Sequence, residues 1–311
     1  MKLGRWLLAA LFYIFLANSS YSQGCSDAGF CTMGSSKPSG VADSLYRQHF
    51  RFTLSYGAGE QGVTVVQAIP ELELSFFKNN SIQLKLPFNT ITGNLGDNNG
   101  VGDVAVSITQ RFVRNESTSF SFSAGTKLPT GSTDEASGNT SSLPMPYQTG
   151  LGTTDLVVGA AWNYRTWNVS AGYQTVLNHD NKNTFLRSRY PGDTDAAGYF
   201  ESNLLERGDD ALLRIEKRFH IKKFMITPGL LGIYRLTEDK ITDDTGTQEA
   251  VKGSDGLTLN ITTTAAYAVS NRFDLQLMFG APALVRDVRP DGLTRSLVLN
   301  LGFRYNFNFS N

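Results

Sequence analysis

Between residues 296 and 309 the side chains alternate almost without a break. Leu297, Leu299, Leu301, Phe303, Tyr305, Phe307 and Phe309 take the odd positions; Ser296, Val298, Asn300, Gly302, Arg304, Asn306 and Asn308 take the even ones. A period of two belongs to a β-strand, whose successive side chains point to opposite faces, so this segment has one apolar and one more polar face. The pattern returns over residues 50–56, 82–88, 120–128, 167–177, 257–269 and 273–279, and glycine and alanine blur it over 155–164 and 224–235. The whole chain then predicts twelve strands, near 48–57, 64–77, 80–91, 101–114, 117–128, 150–164, 166–178, 207–219, 222–236, 254–269, 271–286 and 292–309.

A soluble sandwich also alternates, so strand length, connections and chain end must decide. Many of these strands exceed about 10 residues, the length a tilted strand needs to cross a bilayer, whereas soluble strands cluster near 5 or 6. The connections alternate between tight turns (78–80, 115–117, 165, near 221, 270) and longer Gly-, Asn-, Asp-, Ser- and Thr-rich loops (92–100, 129–149, 179–206, 237–253). Short turns on one rim and long loops on the other are the pattern of an outer-membrane barrel, and an even strand count puts both termini on the periplasmic side. The aromatic finish at Phe303, Tyr305, Phe307 and Phe309 suits a last strand at a membrane interface. The expected fold is all-β: a single transmembrane antiparallel up-and-down barrel over 48–311, in the bacterial outer membrane.

The N-terminus fits export. Lys2 and Arg5 precede an apolar run over 6–17, and Ser20-Tyr21-Ser22 supplies small residues for cleavage before Gln23. This reads as a signal peptide over 1–22, since the apolar run is shorter than the roughly 20 residues of a spanning helix. After it no segment approaches 18 consecutive apolar residues, although 41% of the 311 residues are hydrophobic. Residues 23–47 form a short periplasmic segment or small plug. It holds Cys25 and Cys31, the only cysteines, which an oxidising compartment would join as a small disulfide loop, with lipidation of Cys25 as the other possibility. Formal charge is 28 minus 28; without Lys2 and Arg5 it is 26 minus 28, or minus two. No nucleic-acid partner is expected.

If the apolar face meets lipid, the alternation sends Arg51, Lys85, Arg111, Lys127, Arg214, Arg218, Arg235 and Arg304 inward, with Glu71, Glu73, Asp103, Asp155, Glu216 and Asp274. Eight bases and six acids do not make a single-sign filter; they can brace the wall as ion pairs or line a path for solute. Arg214, Glu216 and Arg218 share one face of one strand, as part of a constriction or a salt-bridge ladder. Gln110 and Lys217 fall on the lipid face, close to a periplasmic turn where a charge costs about 0 to 1 kcal/mol. Twelve strands lie between the eight that side chains fill and the 16 to 18 that leave an open pore, so a narrow or partly plugged channel follows.

Three stretches have a common look: Gly100-Val101-Gly102-Asp103-Val104, Lys127-Leu128-Pro129-Thr130-Gly131 and Gly150-Leu151-Gly152-Thr153-Thr154-Asp155-Leu156. In order and spacing they resemble the strand-to-loop junctions of the outer-membrane channel family named for the meta-cleavage pathway of phenol degradation, related to fatty-acid and aromatic-hydrocarbon transporters. The resemblance implies passage of small, often hydrophobic molecules; membrane lipid and small solutes are the expected partners, and the oligomeric state is left open, a monomer being favoured. A structural or adhesive barrel is the second reading, its long loops meeting partners. An outer-membrane lipid hydrolase is the third, disfavoured because none of His49, His179 and His220 is followed two residues later by serine. Asp239, Asp243 and Asp244 lack EF-hand spacing and read as a solvated acidic loop. No catalytic residue, cofactor or metal site is expected, and no passenger domain or energy-coupling plug domain is seen before the barrel.

Overall fold

The computed structural model describes residues 33–36 and 48–308, except 78, 116, 139, 140 and 294. The expected signal peptide and the Cys25 and Cys31 pair lie outside the described residues. Seventeen strands follow in order: β1 (Gln48–Gly59), β2 (Thr64–Phe77), β3 (Asn80–Lys85), β4 (Phe88–Gly93), β5 (Gly96–Val101), β6 (Val104–Asn115), β7 (Thr118–Leu128), β8 (Thr153–Tyr164), β9 (Trp167–His179), β10 (Asp210–Lys217), β11 (Phe219–Ile221), β12 (Phe224–Arg235), β13 (Lys240–Thr242), β14 (Gln248–Ala250), β15 (Gly256–Ala268), β16 (Phe273–Leu284) and β17 (Arg295–Phe307).

These build a closed antiparallel barrel of twelve staves. β3 and β4 make one stave, β5 and β6 the next, β10 and β11 another, and β13 with β14 forms a separate hairpin in a loop. Closure comes from β1, which pairs with β2 on one side and β17 on the other, so that Arg51 stands opposite both Glu71 and Arg304. A ring of staves leaves no sheet edge, the requirement that lipid imposes on backbone N–H and C=O groups.

Within the ring, the third stave breaks at Leu86 and Pro87. Proline has no N–H for the ladder, and the break is bridged when Leu86 N donates to Pro70 O (3.1 Å) and Gly102 N to Pro87 O (2.8 Å). The sequence reading made 92–100 a loop, and the structure corrects this. Gly96–Val101 is strand, paired along its length with Phe88–Gly93. Its composition, Gly-Asp-Asn-Asn-Gly-Val, has little strand preference of its own; it is held by β4 and by Asn98, whose side-chain amide donates to Tyr147 O (2.9 Å).

The outer face carries the apolar half of the alternation. Leu54, Val66, Ile108, Val158, Leu213, Leu230, Ile261, Leu277 and Leu301 are all exposed, while their strand neighbours are buried or half-buried. Towards the rim of short turns the exposed side chains become aromatic. Phe120 stacks on Trp162 and Trp162 on Tyr164, Phe112 meets Phe122 edge-on, and Phe224 packs on Tyr267. Lys217 sits in this girdle with its ammonium over the Trp167 and Phe219 rings, which offsets the cost of a cation on that face.

The register yields a depth-dependent expectation. Leu230, midway along β12 and facing out, should cost about 2–4 kcal/mol as Leu230→Arg, whereas Ile221→Arg, beside a turn, should cost about 0–1 kcal/mol. Denaturant titration in lipid vesicles measures both, and equal costs would contradict the placement.

Candidate functional site

Much of the long loops folds into the mouth of the barrel, while 134–138, 191–195 and 244–250 stay exposed. Every described residue from 141 to 150 is buried. Tyr147, Phe185, Tyr190, Tyr199, Leu143 and Ala196 form an apolar core with Val63, Val65 and Ile91 of the wall. The Tyr147 hydroxyl lies 3.0 Å from that of Tyr199 and accepts a hydrogen bond from Leu95 N at 3.1 Å. Gly93 makes this approach possible, since a Cβ there would stand 2.3 Å from the Tyr147 hydroxyl. As material for outside partners these loops offer less than their length, since 141–149 is buried and the exposed part of 179–206 centres on 191–195. Ser, Thr and Asn dominate them because each turn of a buried loop must be satisfied by side chains. Asn183 is an example: its amide donates to Thr133 O (2.8 Å) and Leu143 O (2.9 Å), and its carbonyl accepts from Phe185 N (2.9 Å).

Beneath this cap runs a continuous buried ion network. Lys127 reaches Asp103 (3.5 Å) and Asp155 (3.1 Å); Arg207 reaches Asp155 (3.9 Å), Asp210 (3.0 Å) and Asp291 (3.7 Å). Arg235 binds Asp210 (2.7 Å), Asp291 (2.9 Å) and Asp239, and Arg286 binds Asp291 (2.6 Å) and Asp239 (3.7 Å). Four cations thus meet five carboxylates, an excess of one negative charge within the network. Asp210 and Arg235 face each other across β10 and β12, so the wall supplies one part. Loops supply Arg207, Asp239, Arg286 and Asp291, which ties the cap to the wall.

The three family-like motifs meet at one end of this network. Asp103 accepts hydrogen bonds from Gly131 N (3.1 Å) and Leu151 N (3.0 Å), and Thr130 Oγ1 donates to Gly102 O (2.7 Å) while accepting from Val104 N (2.9 Å). A Cβ on Gly150 would lie 2.5 Å from Asp103 Oδ1, and one on Gly131 would lie 2.6 Å from Gly150 N, so both glycines serve close approach. The motifs are a knot that pins the start of loop 129–152 to the wall.

The other residues singled out from the sequence are spread along the inner face. Arg51 lies 3.5 Å from Glu71, and His49 Nε2 lies 3.4 Å from Glu73 and 3.8 Å from Glu71. Arg304 binds Asp274 at 2.7 Å, and Asn306 adds a donor to the same carboxylate. Arg214 and Glu216 are buried, whereas Arg218 is half-buried and donates to Arg165 O (3.1 Å) at a turn. Arg111, opposite Ser121, is exposed. Lys85 is buried beside a cavity. Asp239 requires a correction: it is fully buried in the ion network, so it does not share a solvated acidic loop with half-buried Asp243 and exposed Asp244. His179 closes β9 and does not begin a loop.

Polar residues do not cover all of the interior. Val157, Leu212, Leu231 and Ile233 of the inner wall pack with Met145, Leu151, Leu205 and Leu293 of the loops and with Met33. Met33 belongs to the described N-terminal piece, which lies inside the barrel: Gly34 N donates to Gln83 Oε1 (2.9 Å) and Ser35 N to Ser123 Oγ (3.1 Å). The cavity left under the cap, between Lys85, Asn89, Asp103, Lys127 and Asp291, measures about 60 Å³. That is room for a few waters and less than the roughly 150 Å³ that admits benzene.

Two loop carboxylates show how the network divides its charge. Burial alone would raise Asp291, but the guanidiniums of Arg286, Arg235 and Arg207 outweigh it and hold the carboxyl well below the usual range. Asp239 shifts the other way: burial pushes it up more than Arg235 and Arg286 pull it down, and Asp291 adds to the rise. Asp239 holds a proton more readily than Asp291 because burial outweighs two guanidiniums at the first, while three guanidiniums outweigh burial at the second.

Removing a partner from this network should be costly. Lys127→Met takes away the cation between Asp103 and Asp155, leaving Asp155 to Arg207 at 3.9 Å, and should lower stability by about 3–5 kcal/mol in denaturant titration; a loss below 1 kcal/mol would contradict the network. Because the folded pKa of Asp291 is depressed, its stabilisation is present above an unfolded value of about 3.9 and is lost as pH falls below it. Hydrogen-exchange protection over 285–293, referred to the intrinsic rate at each pH, should therefore fall from pH 5 to pH 3 in the wild type, and less so in Asp291→Asn.

No family model and no curated protein matches the chain. Among solved structures, the COG4313 outer membrane channel from Pseudomonas putida F1 superposes with a TM-score of 0.63 at 17% identity, over 87% of this chain and 99% of that one. The KdgM porin (TM-score 0.44, 8% identity, 84% and 99% covered) and the CymD monoaromatic hydrocarbon channel (0.43, 9%, 91% and 98%) are more distant and add no argument. The chain thus shares, over most of its length, the barrel fold of the COG4313 outer membrane channel.

Proposed function

We propose that the protein is an outer-membrane channel that passes small solutes by passive diffusion, and that the solutes are hydrophobic or aromatic. The observation that carries the reading is a closed barrel, apolar outside, whose inner wall is lined with charged and polar groups. The COG4313 protein with the same fold is an outer membrane channel, which supports the same role here. The apolar patch of Val157, Leu212, Leu231 and Ile233 under the cap favours solutes with an apolar body.

In this reading the described state is closed. The loops and the N-terminal piece, Met33 to Ser36, occupy the lumen, and the inward charges from Arg51 to Arg304 serve first as the frame that holds them. Opening is a displacement of the cap from the ion network, and chemistry on the solute has no part in it. The structural-barrel alternative is favoured by the small size of the cavity, and conduction separates the two.

Planar-bilayer recording of the refolded mature protein tests the proposal. Brief, small openings are expected for the wild type, and Asp291→Ala, which unties three arginines from the cap, should raise the open fraction several-fold. Silence from both proteins, each shown to be folded by heat-modifiable migration, would favour a structural role.

A further inference from the structure

One side-chain cluster lies apart from the cap and its network. His49 on β1 and Glu71 and Glu73 on β2 face the lumen near the rim of short turns, and each offers a ligand atom within 4.8 Å of the other two. The register builds this grouping, since His49 stands directly opposite Glu73, and Glu71 is two residues further along the same face. His49 and Glu71 are buried and Glu73 is half-buried, so the cluster is set in the wall with one side open to the lumen.

The chemistry of the donor set favours a cation there, in competition with the cations already beside it: Arg51 lies 3.5 Å from Glu71, and Lys85 stands opposite Glu71 across β2 and β3. Two carboxylates and one imidazole are a donor set for Zn²⁺ or a similar divalent transition metal, whereas Mg²⁺ and Ca²⁺ take oxygen ligands. The spacing also suits such an ion. Two tetrahedral ligands about 2.05 Å from zinc lie about 3.4 Å apart, and His49 Nε2 is 3.4 Å from Glu73 and 3.8 Å from Glu71.

We infer that His49, Glu71 and Glu73 form a three-ligand binding site for a divalent transition metal in the inner wall of the barrel, with a fourth position open to the lumen. Arg51 sits beside the site as the competing cation on Glu71, and both strands hold their ligands by full ladder pairing from His49 to Ala58.

Cobalt titration of the refolded mature protein tests this, in a Cys25→Ser, Cys31→Ser background so that no thiol contributes. One saturable equivalent with the visible absorption of bound Co²⁺ is expected, displaced by Zn²⁺ and not by Mg²⁺. His49→Ala, and separately Glu73→Gln, which keeps side-chain shape should the alanine variant fail to fold, should each weaken binding by roughly tenfold or more. The inference is overturned if no saturable signal appears in folded protein, which would leave His49 protonated as the balancing cation. It is equally overturned if the signal persists unchanged in either variant.

Discussion

A sheet surrounded by lipid has nowhere to send an unpaired N–H or C=O group, and each one left exposed there costs several kcal/mol. The pairing of β1 with β17 meets that constraint, and the rest of the molecule depends on it. Once the ring is closed, the period of two in every stave has a fixed meaning: one face touches lipid and the other encloses a lumen. A slip of one residue would turn Arg51 and Glu71 to the outside and Phe50 and Leu72 to the inside, so register is set by the whole apolar face together.

Closure also creates a problem, because an interior of twelve staves is too wide for wall side chains alone to fill. The chain fills it with its own loops, and buried loops bring backbone groups and charges with them. Ion pairs in such a setting add little net stability over apolar packing, but they are costly to break one partner at a time. The cap is therefore fixed in two ways, by its apolar core on Val63, Val65 and Ile91 and by the ion pairs of Arg207, Arg235 and Arg286, and the ion pairs are the part that a single charge-removing substitution disrupts.

Most of the barrel was legible from alternation because the lipid face demands it stave by stave. β5 was not, since Gly96 to Val101 has the composition of a turn and is strand only through its partner. Of the wall half of the charge network, Asp103, Lys127, Asp155 and Arg235 were among the residues that the alternation assigns inward, whereas Asp210 on β10 was not. Their loop partners could not be read. Asp291 and Arg235 are 56 residues apart and joined by no pattern, and Ser-, Thr- and Asn-rich loops look the same in sequence whether solvated or folded inward. His49 illustrates a different gap, for it is an ordinary lone histidine until β1 and β2 are paired and bring two glutamates to it.

The central claim is that the folded loops close a path through the barrel. Ser142 and Thr184 belong to the two long loops of the cap, and their hydroxyl oxygens are 3.0 Å apart. A Ser142→Cys, Thr184→Cys protein lacking the native cysteines would lock these loops together on oxidation. Single-channel recording should then show silence in the oxidised protein and openings after reduction. Equal conduction in both states would contradict a gate made of these loops.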